Sequence, residues 1–223
     1  ALAVTPVAFS VISTDTEGIE VSDIHIPVGK SKIPGYVAMP IGQGPFPVLV
    51  ICHEIFGVHE HIKDLCRRFA KLGFYVIAPN LFFRHGDVTK IKEIPDIIKK
   101  VVSKVTNKQV NLDLDATVKF AKANKKTDIS KLTVTGFCWG GKTTWLYAAH
   151  NSNVKSAIAW YGPLVGNVNT STKMEFPVDV AAVLKVPVLG LYGGKDTHIT
   201  QEHVDQMEKA LDKGKSGSKI IVY

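Results

Sequence analysis

The sequence is poor in cysteine and contains no long apolar run. Its 223 residues include only 3 cysteines, without the paired spacing of a zinc ribbon. The longest apolar runs, such as residues 48–52, fall far short of the roughly 18 residues of a membrane span. We therefore expect no disulfide framework, no membrane insertion and a reducing, cytoplasmic compartment. Apolar residues make up 45% of the chain, which excludes a disordered protein and predicts a globular one.

Acidic and aromatic residues are scarce in the most basic part of the chain. The net charge is +7, and between Lys90 and Lys126 ten lysines accompany four acidic residues and a single aromatic, Phe120. The apolar residues at 94, 97, 98, 101, 102 and 105 form one helical stripe, so the lysines are predicted to lie on the solvated faces of helices. Without an aromatic stacking platform, we expect no nucleic-acid partner.

The order of apolar patterns predicts a single α/β domain. Residues 1–4 lack both an initiator methionine and a basic flank, so we expect a processed or trimmed amino terminus. Residues 1–40 alternate in polarity between prolines and glycines, which is typical of edge strands that extend a sheet. Residues 41–223 alternate strand runs with helical stripes, which predicts a mostly parallel sheet with helices on both faces. The predicted strands of this part are 48–52, 74–78, 132–137, 154–161, 186–192 and 219–223.

The segment 136–143, GFCWGGKT, follows a predicted strand and fits two unrelated motifs. One is the phosphate-binding P-loop, Gly-x-x-x-x-Gly-Lys-Thr, and the other is a nucleophile elbow in which Cys138 replaces the usual serine. Bulky Phe137 and Trp139 would obstruct a phosphate, and none of the predicted strands ends in the aspartate that a P-loop enzyme uses to hold magnesium. Glycine at 136 and 140 meets the demand of an elbow for small residues, so the elbow is favoured.

The elbow interpretation assigns chemistry to Cys138. The amides that begin the following helix are expected to lower its thiol pKa and favour a thiolate nucleophile. Cys52 lies in an apolar strand and Cys66 on an apolar helix stripe, so both are predicted to be buried core residues.

Two further segments surround the elbow in this interpretation. The segment 53–61, HEIFGVHEH, follows strand 48–52, where an amide of Ile55 could join the Trp139 amide in an oxyanion hole. It lacks the second histidine of H-E-x-x-H, so no metal site is expected. Asp196 follows a late strand and two glycines, where it is either a triad acid or an ordinary turn residue.

Together these segments resemble the dienelactone hydrolase family, which has the α/β-hydrolase fold. The resemblance spans about residues 35–223 and rests on HEIFGV at 53–58, NLFFR at 80–84, GFCWGG at 136–141 and YGGKD at 192–196. It implies that Cys138 is the nucleophile, that Asp196 is the triad acid, that Glu54 contacts the resting thiol and that Arg84 binds a substrate carboxylate. A carboxylate beside a thiol disfavours the thiolate, so Glu54 could keep Cys138 neutral until substrate binds.

One element of the family pattern is missing. The resemblance implies a histidine in a loop just after strand 219–223, followed by a last helix, but the sequence stops at Tyr223. None of the eight histidines present fits the role as well. We expect the sequence to be cut short relative to the natural protein, the alternative being a natural protein without this base.

The sequence therefore predicts a cysteine hydrolase that opens enol lactones or activated small esters through a thioester acyl-enzyme. The substrate is expected to carry a carboxylate. We expect a small-molecule substrate, no cofactor, and a monomer or weak oligomer. Two other hypotheses stay open. One is a non-catalytic α/β-hydrolase relative that binds a small carboxylate through Arg84, and the other is a P-loop nucleotide binder.

Overall fold

The computed structural model describes residues 13–166 and 175–223. The predicted trimmed terminus, at residues 1–4, lies outside these residues. The strands are β1 (Ile19–Val28), β2 (Ser31–Pro40), β3 (Phe46–Cys52), β4 (Tyr75–Pro79), β5 (Thr127–Phe137), β6 (Ser156–Trp160), β7 (Val188–Tyr192) and β8 (Lys219–Val222). The helices are α1 (Glu60–Lys71), α2 (Ile94–Lys100), α3 (Asn107–Lys122), α4 (Trp139–His150), α5 (Pro177–Val180) and α6 (Gln201–Leu211).

The eight strands form one sheet in the order β1-β2-β4-β3-β5-β6-β7-β8. From β4 through β8 all neighbours are parallel, because a helical connection returns the chain to the same edge each time. Strands β1 and β2 form an antiparallel hairpin at one end, and its turn contains Gly29 with a φ of 55°.

Helices cover both faces of the sheet, as predicted. Along β3, Leu49 and Ile51 pack with the apolar stripe of α1, whereas Val48, Val50 and Cys52 belong to the larger core on the other face. That larger core receives the buried stripes of α3, α4 and α6. A strand buried on both faces must be apolar throughout, which is why β3 reads as an unbroken apolar run.

The single helix predicted over residues 94–105 is wrong. The α-helix α2 ends at Lys100, and a separate 3₁₀ turn follows at 102–104. Val101 leaves the helical region with φ −123° and ψ −66°, which lets it turn into the core, whereas Ile94 and Ile98 stay exposed. The apolar positions of the predicted stripe therefore belong to two short elements and not to one helix.

The sheet brings five loops to one edge. In the sheet, β3 has β4 on one side and β5 on the other. The chain therefore passes from β3 to β4 on one side and later adds β5 on the opposite side of β3. Such a switch point opens a crevice at the carboxyl ends of the strands, where ligands bind in α/β proteins. The loops after β3, β4, β5, β6 and β7 all begin at this edge. Within the described residues, no helix is both long enough and apolar enough to cross a membrane.

Candidate active site

Cys138 occupies a strained backbone conformation between β5 and α4. Its φ of 54° and ψ of −120° are rare for a residue with a side chain. The turn is held by the Cys138 amide, which donates to the Trp160 carbonyl over 3.0 Å, and by the Gly141 amide, which donates to the Cys138 carbonyl over 2.9 Å. This sharp strand-to-helix turn is the geometry of a nucleophile elbow.

Close backbone contacts explain why glycine flanks this turn. A Cβ on Gly136 would lie 2.3 Å from the Gly140 carbonyl oxygen, and one on Gly140 would lie 2.1 Å from the Cys52 carbonyl oxygen. The start of α4 therefore packs directly against the end of β3. Gly140 also approaches the carbonyl of His53, the first residue of the loop that carries Ile55, and the oxyanion hole of the Ile55 and Trp139 amides stays a prediction.

The P-loop hypothesis does not fit this geometry. A P-loop needs several residues between strand and helix to wrap a phosphate, but here Cys138 alone separates β5 from α4. Lys142 lies inside α4, is 6% exposed, and places its Nζ 4.7 Å from the centre of the Phe176 ring. Burial lowers its pKa to about 8.

The pKa of the Cys138 thiol is shifted in the direction opposite to the one expected from the helix amides. Burial raises the pKa of the thiol above its ordinary value, and the charges of Glu54 and Asp196 raise it further. The Trp139 amide acts in the predicted direction but does not overcome these effects. A raised pKa favours the thiol over the thiolate, and the charge of Glu54 acts in that direction, while its predicted role of keeping Cys138 neutral stays a prediction. Cys52 and Cys66 are fully buried, in agreement with their predicted core roles.

Glu54 is bound by a histidine that sequence reasoning left without a role. The carboxylate Oε2 accepts a hydrogen bond from His59 Nε2 over 3.0 Å. Burial raises the pKa of Glu54, but the hydrogen bond and charge of His59, helped by His61, hold it below its usual value. Glu54 is therefore ionised and fixed in place. The sequence signal that could have revealed this contact is the pair of histidines five and seven residues after Glu54.

His53 ties the ends of β3 and β4 together. Its Nδ1–H donates to the Glu54 carbonyl over 2.6 Å, and its Nε2 accepts from the Leu81 amide over 3.0 Å. Both partners are backbone groups, so they select the neutral ring. The side chain is fully buried and stacks on the Trp139 ring with centroids 5.8 Å apart. Burial lowers the pKa of His53 to about 4.

This buried ring should make stability depend on pH. Between about pH 6.5 and 4 the unfolded chain binds a proton at His53 that the folded chain does not, so stability falls as the pH is lowered. The loss should reach at most about 3 kcal/mol. His53→Gln keeps a donor and an acceptor without a titration, so urea unfolding near pH ~7 and ~4.5 should show a smaller loss for this variant. An equal loss in both proteins would contradict the assignment.

Asp196 lies in the loop after β7. Its Oδ1 accepts from the amides of His198 and Ile199 over 2.7 and 3.0 Å, which fixes the orientation of the carboxylate. Its charge reaches Cys138, since it contributes to the raised thiol pKa. The side chain is therefore a turn residue in this structure whose charge also acts on Cys138, and its role as a triad acid stays a prediction.

Arg84 has a protein partner in this structure. Its Nη1 donates to Oδ2 of Asp113 on α3, and its guanidinium lies 5.3 Å from the centre of the Phe83 ring. Asp113 is 1% exposed, and burial raises its pKa even though Arg84 opposes this. The predicted contact of Arg84 with a substrate carboxylate would add to this ion pair or compete with it.

Tyr161 is a second residue that sequence reasoning missed. It directly follows β6 and has a φ of 38°, which is strained for an aromatic residue. Burial raises the pKa of its hydroxyl to about 12, with contributions from the charges of Glu54 and Cys138. Its hydroxyl therefore lies within electrostatic range of Glu54 and Cys138, and its ring lies 6.4 Å from that of Phe137. The hydrophobic pattern of a sequence carries no signal for a positive φ at a tyrosine, so sequence reasoning could not find this residue.

Among the described residues, no three His, Cys, Asp or Glu side chains are grouped to hold a metal ion.

The mostly parallel sheet and the elbow at its switch point define an α/β-hydrolase. The sequence model of the dienelactone hydrolase family matches residues 33–223. The chain belongs to the dienelactone hydrolase family, and it is a hydrolase of that type.

Individual relatives agree with this assignment. A Methylorubrum extorquens protein named "Putative carboxymethylenebutenolidase" is 51% identical over 224 residues, covering 100% of this chain and 77% of the relative. A protein of the same name from Escherichia coli K12 is 45% identical, covering 99% of this chain and 81% of its own length. The crystal structure of a "Putative Dienelactone Hydrolase" from Klebsiella pneumoniae is 47% identical with a TM-score of 0.88, covering 92% of this chain and 85% of that one.

Proposed function

We propose that this protein is a cysteine hydrolase that opens enol lactones or activated small esters through a thioester acyl-enzyme. The observation that carries the proposal is Cys138 in the strained elbow, within electrostatic reach of both Glu54 and Asp196. A strained backbone at a nucleophilic side chain is costly to maintain, and such strain is concentrated at active sites. The substrate class is also that named for the relatives.

In the proposed reaction the Cys138 sulfur attacks the carbonyl carbon, and the amides of Ile55 and Trp139 hold the oxyanion. The carbonyl–oxygen bond then breaks, the enolate leaves and takes up a proton, and water hydrolyses the thioester. A thiolate leaves a tetrahedral intermediate more readily than an alkoxide does, so acylation needs a stabilised leaving group such as an enolate. A histidine oriented by Asp196, and expected after Tyr223 from the family resemblance, would carry the proton.

A pair of substrates tests this proposal. We expect the full protein to hydrolyse an enol lactone that carries a carboxylate and, less efficiently, a neutral activated aryl ester. If Arg84 binds the carboxylate, Arg84→Gln should raise KM about tenfold for the lactone and leave KM for the ester unchanged, because a charge-assisted hydrogen bond contributes about 1.5–3 kcal/mol. Glutamine keeps a donor for Asp113, which limits the effect on folding.

The alternative hypothesis predicts a different result. A folded, complete protein that turns over neither substrate but still binds the carboxylate-bearing compound would be a non-catalytic member of the family. Equal effects of Arg84→Gln on both substrates would assign Arg84 to structure and not to substrate binding.

A further inference from the structure

A surface cavity of about 290 Å³ lies beside Arg84, at the start of α3. Its walls are formed mostly by the first half of α3 and the residue before it, and the last residue of β1 and Arg84 complete them. The volume is close to the lower limit of pockets that hold small molecules, about 300–1,000 Å³. Cys138, Glu54 and Asp196 are not among the described residues that line it, so the cavity is separate from the elbow.

Two polar atoms in the wall of this cavity are buried and have no hydrogen-bond partner among the described residues. They are Oδ1 of Asp113 and Nε2 of Gln109, which lie four residues apart and therefore on one face of α3. Asp113 is 1% exposed, and its other oxygen, Oδ2, accepts a hydrogen bond from Arg84. Oε1 of Gln109 accepts from Nε2 of His85 over 3.1 Å, so the other end of this amide is the one left over.

These two atoms do not satisfy each other. Burial raises the pKa of Asp113, and the side chains of Arg84 and Gln109 oppose this increase, so the amide lies near the carboxyl group. Nevertheless, no hydrogen bond of ordinary geometry joins Nε2 of Gln109 to Asp113. A donor and an acceptor are therefore held side by side in the wall of a cavity. Native proteins leave few buried polar groups unpaired, because an unmade hydrogen bond is costly there.

The chemistry of the wall selects the kind of ligand that fits. A hydroxyl group both donates and accepts, so one hydroxyl can donate to Oδ1 of Asp113 and accept from Nε2 of Gln109. The charged residues of the wall are the cations Arg84 and Lys108 and the anion Asp113, which leaves two positive charges minus one, or +1. A ligand with a single carboxylate balances this charge, and the exposed ammonium of Lys108 is the cation that has no carboxylate partner among the described residues.

We propose that this cavity is a binding site for a small hydroxycarboxylic acid, whose hydroxyl bridges Asp113 and Gln109 and whose carboxylate pairs with Lys108. The site goes beyond the proposed function, because it is separate from the elbow and can be occupied without turnover. Arg84 lines the cavity and is also the residue predicted to hold a substrate carboxylate. A hydroxy acid bound here would therefore lie next to the predicted substrate contact.

Titration of the full, isotopically labelled protein with hydroxybutyrate, followed by the chemical shifts of its backbone amides, tests the proposal. The 2-, 3- and 4-hydroxy isomers are compared with butyrate, which lacks the hydroxyl, and with butane-1,3-diol, which lacks the carboxylate. At least one isomer should bind with a Kd of about 1 mM, and butyrate at least about tenfold more weakly, because butyrate leaves both buried atoms unpaired. The largest shifts should fall on residues 106–113.

Two variants and a matched control locate the site. Gln109→Leu keeps the size of the side chain but removes the donor, so it should weaken hydroxybutyrate about tenfold and change butyrate binding little. Lys108→Gln should weaken both acids and leave the neutral diol unaffected. Lys119→Gln removes an equally exposed lysine from the same helix, outside the cavity, and should change no affinity.

Three results would overturn the proposal. One is the absence of binding by every isomer at concentrations about tenfold above the expected Kd, which would mean that only solvent serves the two buried atoms. Another is equal affinity for hydroxybutyrate and butyrate, since the hydroxyl would then be irrelevant. The third is a set of shifts centred on residues 138–141, which would place the acid in the elbow. None of these measurements requires turnover, so they are independent of the proposed function.

Discussion

Cys138→Ala is expected to lower kcat/KM on an activated ester by about four orders of magnitude or more. The reason is that removal of the attacking atom leaves only oriented water and the oxyanion amides. Steady-state hydrolysis on matched protein samples measures this loss. Alanine is smaller than cysteine and fits the same space, so the variant should remain folded. Circular dichroism can verify this before the rates are compared.

The other cysteines offer controls for this substitution. Cys66→Ala removes a buried sulfur from α1, on the opposite face of the sheet from α4. It should cost stability through a small cavity and leave kcat/KM within about twofold of wild type. A Cys138→Ala protein with near-wild-type turnover would show that another group attacks the carbonyl, and the thioester route would be wrong.

Gly140→Ala is expected to destabilise the protein by about 3 kcal/mol or more, or to prevent folding. The added Cβ would lie 2.1 Å from the Cys52 carbonyl oxygen and 2.6 Å from that of His53. Both are backbone atoms of the central strand and its loop, so neither can move as a side-chain tip could. The free energy of unfolding, from urea denaturation followed by tryptophan fluorescence, measures the cost.

Gly193→Ala is the matched control for this effect. A Cβ at Gly193 meets nothing within 4 Å, and its φ is not positive, so stability should change by less than about 1 kcal/mol. Equal stability of Gly140→Ala and Gly193→Ala would mean that α4 does not pack against β3 as closely as described. Any Gly140→Ala protein that does fold should have lost activity, because α4 and the Trp139 amide must shift away from the loop that carries Ile55.

Local patterns predicted most of the architecture. Buried parallel strands are apolar runs, so β3 and β4 could be located from the sequence pattern, whereas β5 begins at Thr127 with polar residues, five positions before the predicted strand. The elbow could be predicted because its strain demands small residues at fixed positions on either side of Cys138. In both cases the structure depends on the burial or strain of a few neighbouring residues, so a short stretch of sequence is enough to predict it.

Contacts between distant segments needed the tertiary structure. Arg84 pairs with Asp113, which is 29 residues away on α3, and neither position signals the other. The raised thiol pKa of Cys138 depends on burial and on charges brought from the loops after β3 and β7, which outweigh the local helix amide. The boundary of α2 was likewise decided by where Val101 could reach the core, since the apolar stripe alone fits one long helix.

The sequence by itself determined the fold class and which residue types could do chemistry, because periodicity and motif spacing are local properties. The tertiary structure decided how those residues act on one another, namely that Glu54 is held by His59, that the charges of Glu54 and Cys138 act on Tyr161, and that Arg84 already has a partner. These relations depend on sheet order and side-chain direction, which emerge only when all the strands are packed together.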